Sequence, residues 1–143
     1  MKKMITICFL ICILFLTGCQ KNKLVCTQKD DSIDDLKSET KYTFTFNEET
    51  VKKVTMTTEV TLSGDYNDET FIENYKSSAT EAADEYNEAK GVSATVSNKK
   101  NVVTLKVEMD STKMSKEDVE AYGLDLTKDE LKTEFENIGY TCK

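Results

Sequence analysis

The 143-residue sequence has no histidine, no tryptophan, no proline and no arginine, and only five glycines. Without histidine there is no imidazole to act as base in an acyl-transfer triad, and the commoner zinc sites lose their nitrogen ligand. Without arginine there is no planar fork to clamp a phosphate in bidentate fashion. The glycines stand alone at positions 18, 64, 91, 123 and 139, so neither a phosphate-cradling loop nor a dinucleotide fingerprint can be assembled. Charge is lopsided: 19 lysines face 26 acids, for a formal net charge of −7. That balance disfavours nucleic acid as a partner, because phosphate contacts need a basic patch.

The N-terminus is organised differently from the rest. Met1-Lys2-Lys3 is a short basic start, and Met4 to Leu16 is a 13-residue run without charge. A bilayer span needs about 20 apolar residues, so this run matches the core of a secretory signal instead. Leu16-Thr17-Gly18-Cys19 resembles the lipobox of bacterial lipoproteins. That resemblance implies cleavage between Gly18 and Cys19 and a diacylglyceryl group on the Cys19 sulfur. Two acyl chains anchor a protein stably where one does not. The expected organisation is a signal peptide over 1–18, a lipidated tether over 19–25 and a single domain over 26–143. The expected location is the outward-facing surface of the cell membrane.

Losing Lys2 and Lys3 takes the net charge from −7 to −9. That charge pushes the domain off an anionic surface, so flat docking is not expected. Five cysteines reduce to two, since Cys8 and Cys12 leave with the signal and Cys19 is consumed by lipid. Cys26 and Cys142 remain, and an exported compartment permits their pairing. The alternative is two free thiols, one in each terminal strand. Closing a loop of over a hundred residues is worth roughly 5 kcal/mol in the chain-entropy description. Seven residue steps from Cys19 to Cys26 span about 25 Å at full extension, which holds the domain close to the membrane.

The periodicity after residue 23 switches between two and 3.6. Leu24 to Thr27 reads as a short strand, and Asp30 to Asp35 as a solvated acidic loop. A calcium loop needs a turn glycine, and none lies between 19 and 63. Tyr42 to Phe46 alternates aromatics with threonines, Asn47 to Thr50 is a turn, and Val51 to Leu62 alternates again, giving a hairpin. Phe71, Ile72, Tyr75, Ala79, Ala82, Ala83, Tyr86 and Ala89 fit one face of a long helix, capped by Asn67 or Asp68 and ended at Gly91. Val92 to Ser97 and Val103 to Met109 flank a turn at 98–101 as a second hairpin. Ser115 with Asp118 caps a short helix over 116–122, and Thr127 with Glu130 forms a capping box for a last helix ending at Gly139. The predicted class is α+β: an antiparallel sheet built from two hairpins, packed against one long helix, with short C-terminal helices.

The lipobox, the hairpin through Thr61 and the Tyr75–Tyr86 helix form one combination with three later features. These are Gly91-Val92, the strand ending Val107-Glu108-Met109-Asp110, and the Thr127 to Gly139-Tyr140 helix. Together they resemble the YehR-like family of small bacterial lipoproteins. The resemblance spans most of the chain after the lipobox. It implies a fold and an anchored location, and it carries over no catalytic residue.

Catalytic groups are correspondingly hard to find. Ser77, Ser78, Ser93 and Ser97 have no histidine partner. Many acids could form a carboxylate pair for a hydrolase, but nothing in the sequence selects two of them. Two further readings follow from what is present. The first is a non-enzymatic domain, needing no cofactor or metal, that contacts an envelope protein or another envelope component through its sheet face or loops. The second is a small-ligand module with a pocket between helix and sheet, for which Tyr75, Tyr86 and Phe44 are the candidate lining residues.

Overall fold

The computed structural model describes residues 22–143. The elements are β1 (Lys23–Ile33), β2 (Leu36–Asn47), β3 (Thr50–Leu62), α1 (Glu69–Asn87), β4 (Val92–Lys99), β5 (Val102–Asp110), α2 (Lys116–Ala121), α3 (Lys128–Asn137) and β6 (Thr141–Cys142). The fold is α+β. Six strands form an antiparallel sheet in the order β4-β5-β3-β2-β1-β6, with helices packed on it.

The sheet departs from expectation in two respects. The sheet is a three-stranded meander, β1-β2-β3, joined through β3 to the β4–β5 hairpin and closed by β6, so two hairpins understate it. The Leu24–Thr27 strand continues through the acidic stretch to Ile33, with a register shift between Asp30 and Ile33. Nothing in Asp30-Asp31-Ser32 favours a strand locally; pairing with Leu36 to Ser38 imposes it. The meander and hairpin turn through two-residue loops, Asp34-Asp35, Glu48-Glu49 and Lys100-Asn101. In each, one residue adopts positive φ: Asp35 at 64°, Glu48 at 58° and Lys100 at 57°. Such short loops require that left-handed step to follow the sheet twist.

One long helix also understates the helical layer. Six strands about 4.8 Å apart make a sheet roughly 24 Å wide, and a helix with side chains covers about 10 Å of it. α1 lies over β4 and β5, where Ala83 is buried and Tyr86 packs beside it. α3 covers the opposite half: Leu131 is buried, and Phe135 meets Phe44 edge-on at 5.2 Å and Tyr42 at 4.9 Å between ring centres. The core between the layers divides into a larger cluster around Phe44, Val107 and Leu131 and a smaller one of Val60, Leu62 and Val103.

The helix N-termini follow the sequence signals, whereas α1 stops at Asn87 with Glu88 as its C-cap, short of the Ala89 and Gly91 expected to carry and end it. Asp68 accepts from the Phe71 amide at 2.8 Å. Ser115 accepts from the Asp118 amide, and Thr127 with Glu130 completes the capping box. Gly91 turns the chain from α1 into β4 at φ +82°; a Cβ there would lie 2.8 Å from Met114 Cγ and 3.0 Å from the Asp110 carbonyl. At the exposed edge of the sheet, the Asn87 side chain donates to the Ala94 carbonyl at 3.1 Å and accepts from its amide at 2.7 Å. α1 thereby occupies backbone groups of β4 that no strand pairs.

Candidate functional site

Because β-strand side chains alternate between faces, the register determines what each face carries. One face holds the buried positions, such as Leu24, Phe44, Met56, Val107 and Ala94, and all three helices contribute to the packing there. The other face holds no buried residue and no helix among the described residues. Its rows run from β4 across to β6.

The central row runs Thr95, Lys106, Thr57, Lys41, Thr27, Thr141. It contains two lysines, four threonines and no acid. Lys41 and Lys106 flank Thr57 from either side, two strand spacings or roughly 10 Å apart. On one side lies Ser93, Glu108, Thr55, Thr43, Val25, with Lys143 hydrogen-bonded opposite Val25. On the other lies Ser97, Thr104, Glu59, Glu39, Lys29. The outermost rows place Lys53 with Lys23 and Lys99 with Lys37.

Across these paired positions eight lysines (23, 29, 37, 41, 53, 99, 106 and 143) face four acids (39, 59, 108 and 110), a side-chain charge of +4. All eight lysines are exposed. Three of the acids are held by lysines: Glu39 by Lys29 at 3.1 Å, Glu108 by Lys106 at 3.2 Å and Asp110 by Lys113 at 3.7 Å. Asp110 also accepts from the Thr112 hydroxyl at 2.6 Å, which lowers its carboxyl below the usual range, with Lys113 and Lys53 adding to the effect. The described residues hold 16 lysines and 26 acids, so everything away from this face carries eight lysines against 22 acids. Sixteen of those acids lie in or beside the helices, and six (Asp30, Asp31, Asp34, Asp35, Glu48 and Glu49) lie at the end of β1 and in two hairpin loops, so the whole-chain charge has the wrong sign for the paired positions of the sheet face.

Two shallow depressions open on or beside this face. One of about 440 Å³ is bounded by Thr27, Lys29, Glu39, Lys41, Thr141 and Lys143. The other, about 460 Å³, lies where Lys53, Thr55, Ser93 and Glu108 meet Gly91 and Lys113. Both mix charges of either sign. Among the described residues no group of three or more cysteines or acids is placed to hold a metal ion, and no helix is long and apolar enough to cross a membrane.

The residues singled out from the sequence fall in different places. Gly18 and Cys19 lie outside the described residues. Cys26 and Cys142 form a disulfide, directly opposite one another on β1 and β6. Phe44 and Tyr86 belong to the larger core cluster, whereas Tyr75 packs on the smaller one. None of the three lines either depression. Burial pushes the Tyr42 hydroxyl up to about 12, with Tyr140 and Tyr86 acting in the same direction, and burial also raises Tyr75. In the sequence the Lys53, Thr55, Thr57, Glu59, Thr61 stripe of β3 is polar but not basic, and nothing in it marks the face as a charged one. The missed signal is the recurrence of Lys and Thr at alternate positions of every neighbouring strand.

No family model matches the chain, and no curated protein matches it. Its fold is similar to that of a protein from Streptococcus pneumoniae TIGR4 solved by NMR, with a TM-score of 0.54 and 13% identity over 87% of each chain. At that identity the likeness concerns the fold alone.

Proposed function

We propose that this chain is an exported lipoprotein, anchored through Cys19 on the outer side of a membrane, and a non-enzymatic domain that contacts an envelope component through its open sheet face. The anchor rests on the basic start, the short apolar run and the Leu16–Cys19 box, and on the resemblance to small bacterial lipoproteins. The contact surface rests on one observation above the others: the sheet face without helices carries +4 on an otherwise strongly acidic protein. Random surface charge on a chain of net −7 does not favour a row of six residues with lysines and no acid at the centre of its broadest face. Keeping that face free of helices leaves it available for a partner. The pocket reading is less favoured, since Tyr75 is separated from Phe44 and Tyr86 by membership of different core clusters.

The test is photo-crosslinking in intact cells with the full chain. A crosslinker at Thr57 captures a specific protein or lipid, and one at Ser78 on α1 does not. Capture from position 78 alone contradicts the assignment of the face. Incorporation of labelled palmitate, abolished by Cys19→Ala, tests the anchor separately.

A further inference from the structure

We infer that the open sheet face lies flat on a bilayer surface bearing anionic lipid headgroups, with Lys41 and Lys106 at the centre of the contact. The inference deepens the proposed function and uses its lipid tether only to bring the face to the bilayer.

Three observations select this occupant. The first is chemical. Protein interfaces are anchored by Trp, Tyr, Arg and other large side chains in closely packed cores. The paired positions of this face carry no aromatic residue, and its outward apolar side chains are Val25 and Val102. What it offers is ammonium groups on long flexible stems, set among threonine hydroxyls. Those groups match phosphate-bearing headgroups, which need charge and hydrogen-bond donors and no shaped pocket.

The second is electrostatic. The screening length is about 10 Å at 0.1 M salt and about 30 Å at 0.01 M. The helices lie roughly 10 Å behind the sheet, and their outer carboxylates lie farther still. At 0.1 M a bilayer lying against the centre of the sheet therefore senses the lysines there more strongly than the helical acids behind them, while the loop acids Asp34, Asp35, Glu48 and Glu49 confine the contact to that centre. This reverses the expectation, drawn from net charge, that the domain cannot dock flat. It also yields a distinctive signature. Attraction peaks at intermediate salt, because at low salt the acidic side is unscreened and at high salt the lysines are screened as well.

The third is placement. Lys23 occupies a corner of the face, opposite Thr45 and in the row of Lys53. Four steps separate it from Cys19, at most about 14 Å of chain. A lipid on Cys19 thus delivers this face, by one corner, to the bilayer.

The experiment uses the full chain isolated from membranes with its native anchor, labelled at Thr95→Cys on the sheet face or at Ser78→Cys on the helix. Each form is reconstituted into vesicles of phosphatidylcholine, or of equal parts phosphatidylcholine and phosphatidylglycerol, containing a headgroup-borne quencher. Retention on the neutral vesicles reports the anchor. Quenching of the label at 95, severalfold stronger on anionic than on neutral vesicles and strongest near 0.1 M salt, reports docking; the label at 78 stays unquenched. Lys41→Gln with Lys106→Gln should weaken docking on the order of tenfold. Lys116→Gln with Lys132→Gln, the same change in net charge on the helical side, should leave it unchanged. Equal quenching at both labels, no dependence on anionic lipid, or equal loss in both lysine pairs overturns the inference. So does binding of soluble polyglycerol phosphate without any anionic-vesicle effect, which would assign the face to a polymer. If the chain leaves neutral vesicles, the anchor fails; cosedimentation of the two lysine pairs with anionic vesicles then decides the docking by the same contrast.

Discussion

Cys26 and Cys142 sit directly opposite one another on antiparallel strands, with Cα atoms 4.1 Å apart, at a position flanked by the reciprocal Val25–Lys143 backbone bonds. That is the close, non-hydrogen-bonded pair of an antiparallel ladder, where two side chains meet most readily. β6 is only two residues long, so its backbone bonds alone give it little hold on β1. The disulfide fixes it there, and with it the end of α3. Cys142→Ser is therefore expected to lower unfolding free energy by about 2–5 kcal/mol in urea titrations, with reduction of the native protein giving a similar loss. An unchanged midpoint contradicts that role.

The Gly91 turn joins α1 to the edge strand that borders the open face. Gly91→Ala combines a left-handed backbone with contacts at 2.8 Å and 3.0 Å, whereas Gly123 has positive φ but meets only Leu126 Cδ1 at 3.5 Å. Gly91→Ala should cost about 2–3 kcal/mol and Gly123→Ala about 1 kcal/mol. Thermal melts of the two variants check the order; equal shifts refute the steric part of the argument.

Asn87 clamps the exposed edge of β4 through both faces of its amide. Asn87→Ala leaves the Ala94 amide and carbonyl without those partners, at a cost of about 1–3 kcal/mol. Hydrogen exchange at Ala94 should accelerate well beyond that at Val107 in the sheet interior. Unchanged exchange at Ala94 would show the clamp to be incidental.

Tyr42 titrates in the direction opposite to a paired carboxylate. Its folded pKa is raised to about 12, chiefly by burial, from an ordinary value of 10.0. The folded state therefore holds the proton more tightly than the unfolded chain. Its contribution is fully present below pH 10 and is lost as pH climbs toward 12. Urea midpoints should fall through that window, and Tyr42→Phe should flatten the fall. A variant with the same slope as wild type places the titration elsewhere.

Much of the fold is legible because its signals are local. The alternation in Tyr42–Phe46 and Val103–Met109, the Asp68 cap and the Thr127–Glu130 box each need only a few neighbouring residues. Asp30 to Ile33 is different, since its extended state is imposed by Leu36 to Ser38 across a turn. The second helix over the β1–β2 half was predicted as a helix, but its place in the layer follows from sheet width, which depends on strand order. The candidate face was the least legible part. Lys41 and Lys106 are distant in the sequence and become neighbours across Thr57 only when β5 pairs with β3. Each strand alone presents an unremarkable polar stripe, and the charge of the face exists only in their sum.

Lysine footprinting on membranes tests the central claim most directly, because it asks which side of the domain is covered without presupposing by what. A membrane-impermeant acylating reagent is applied from the side on which the domain is exposed, to native membranes and to protein released from them. Lys41 and Lys106 should be several times less reactive on the membrane than in the released protein, while Lys76 and Lys132 on the helices react equally in both. Protection of Lys76 and Lys132 with Lys41 and Lys106 left open would contradict the assignment of the sheet face.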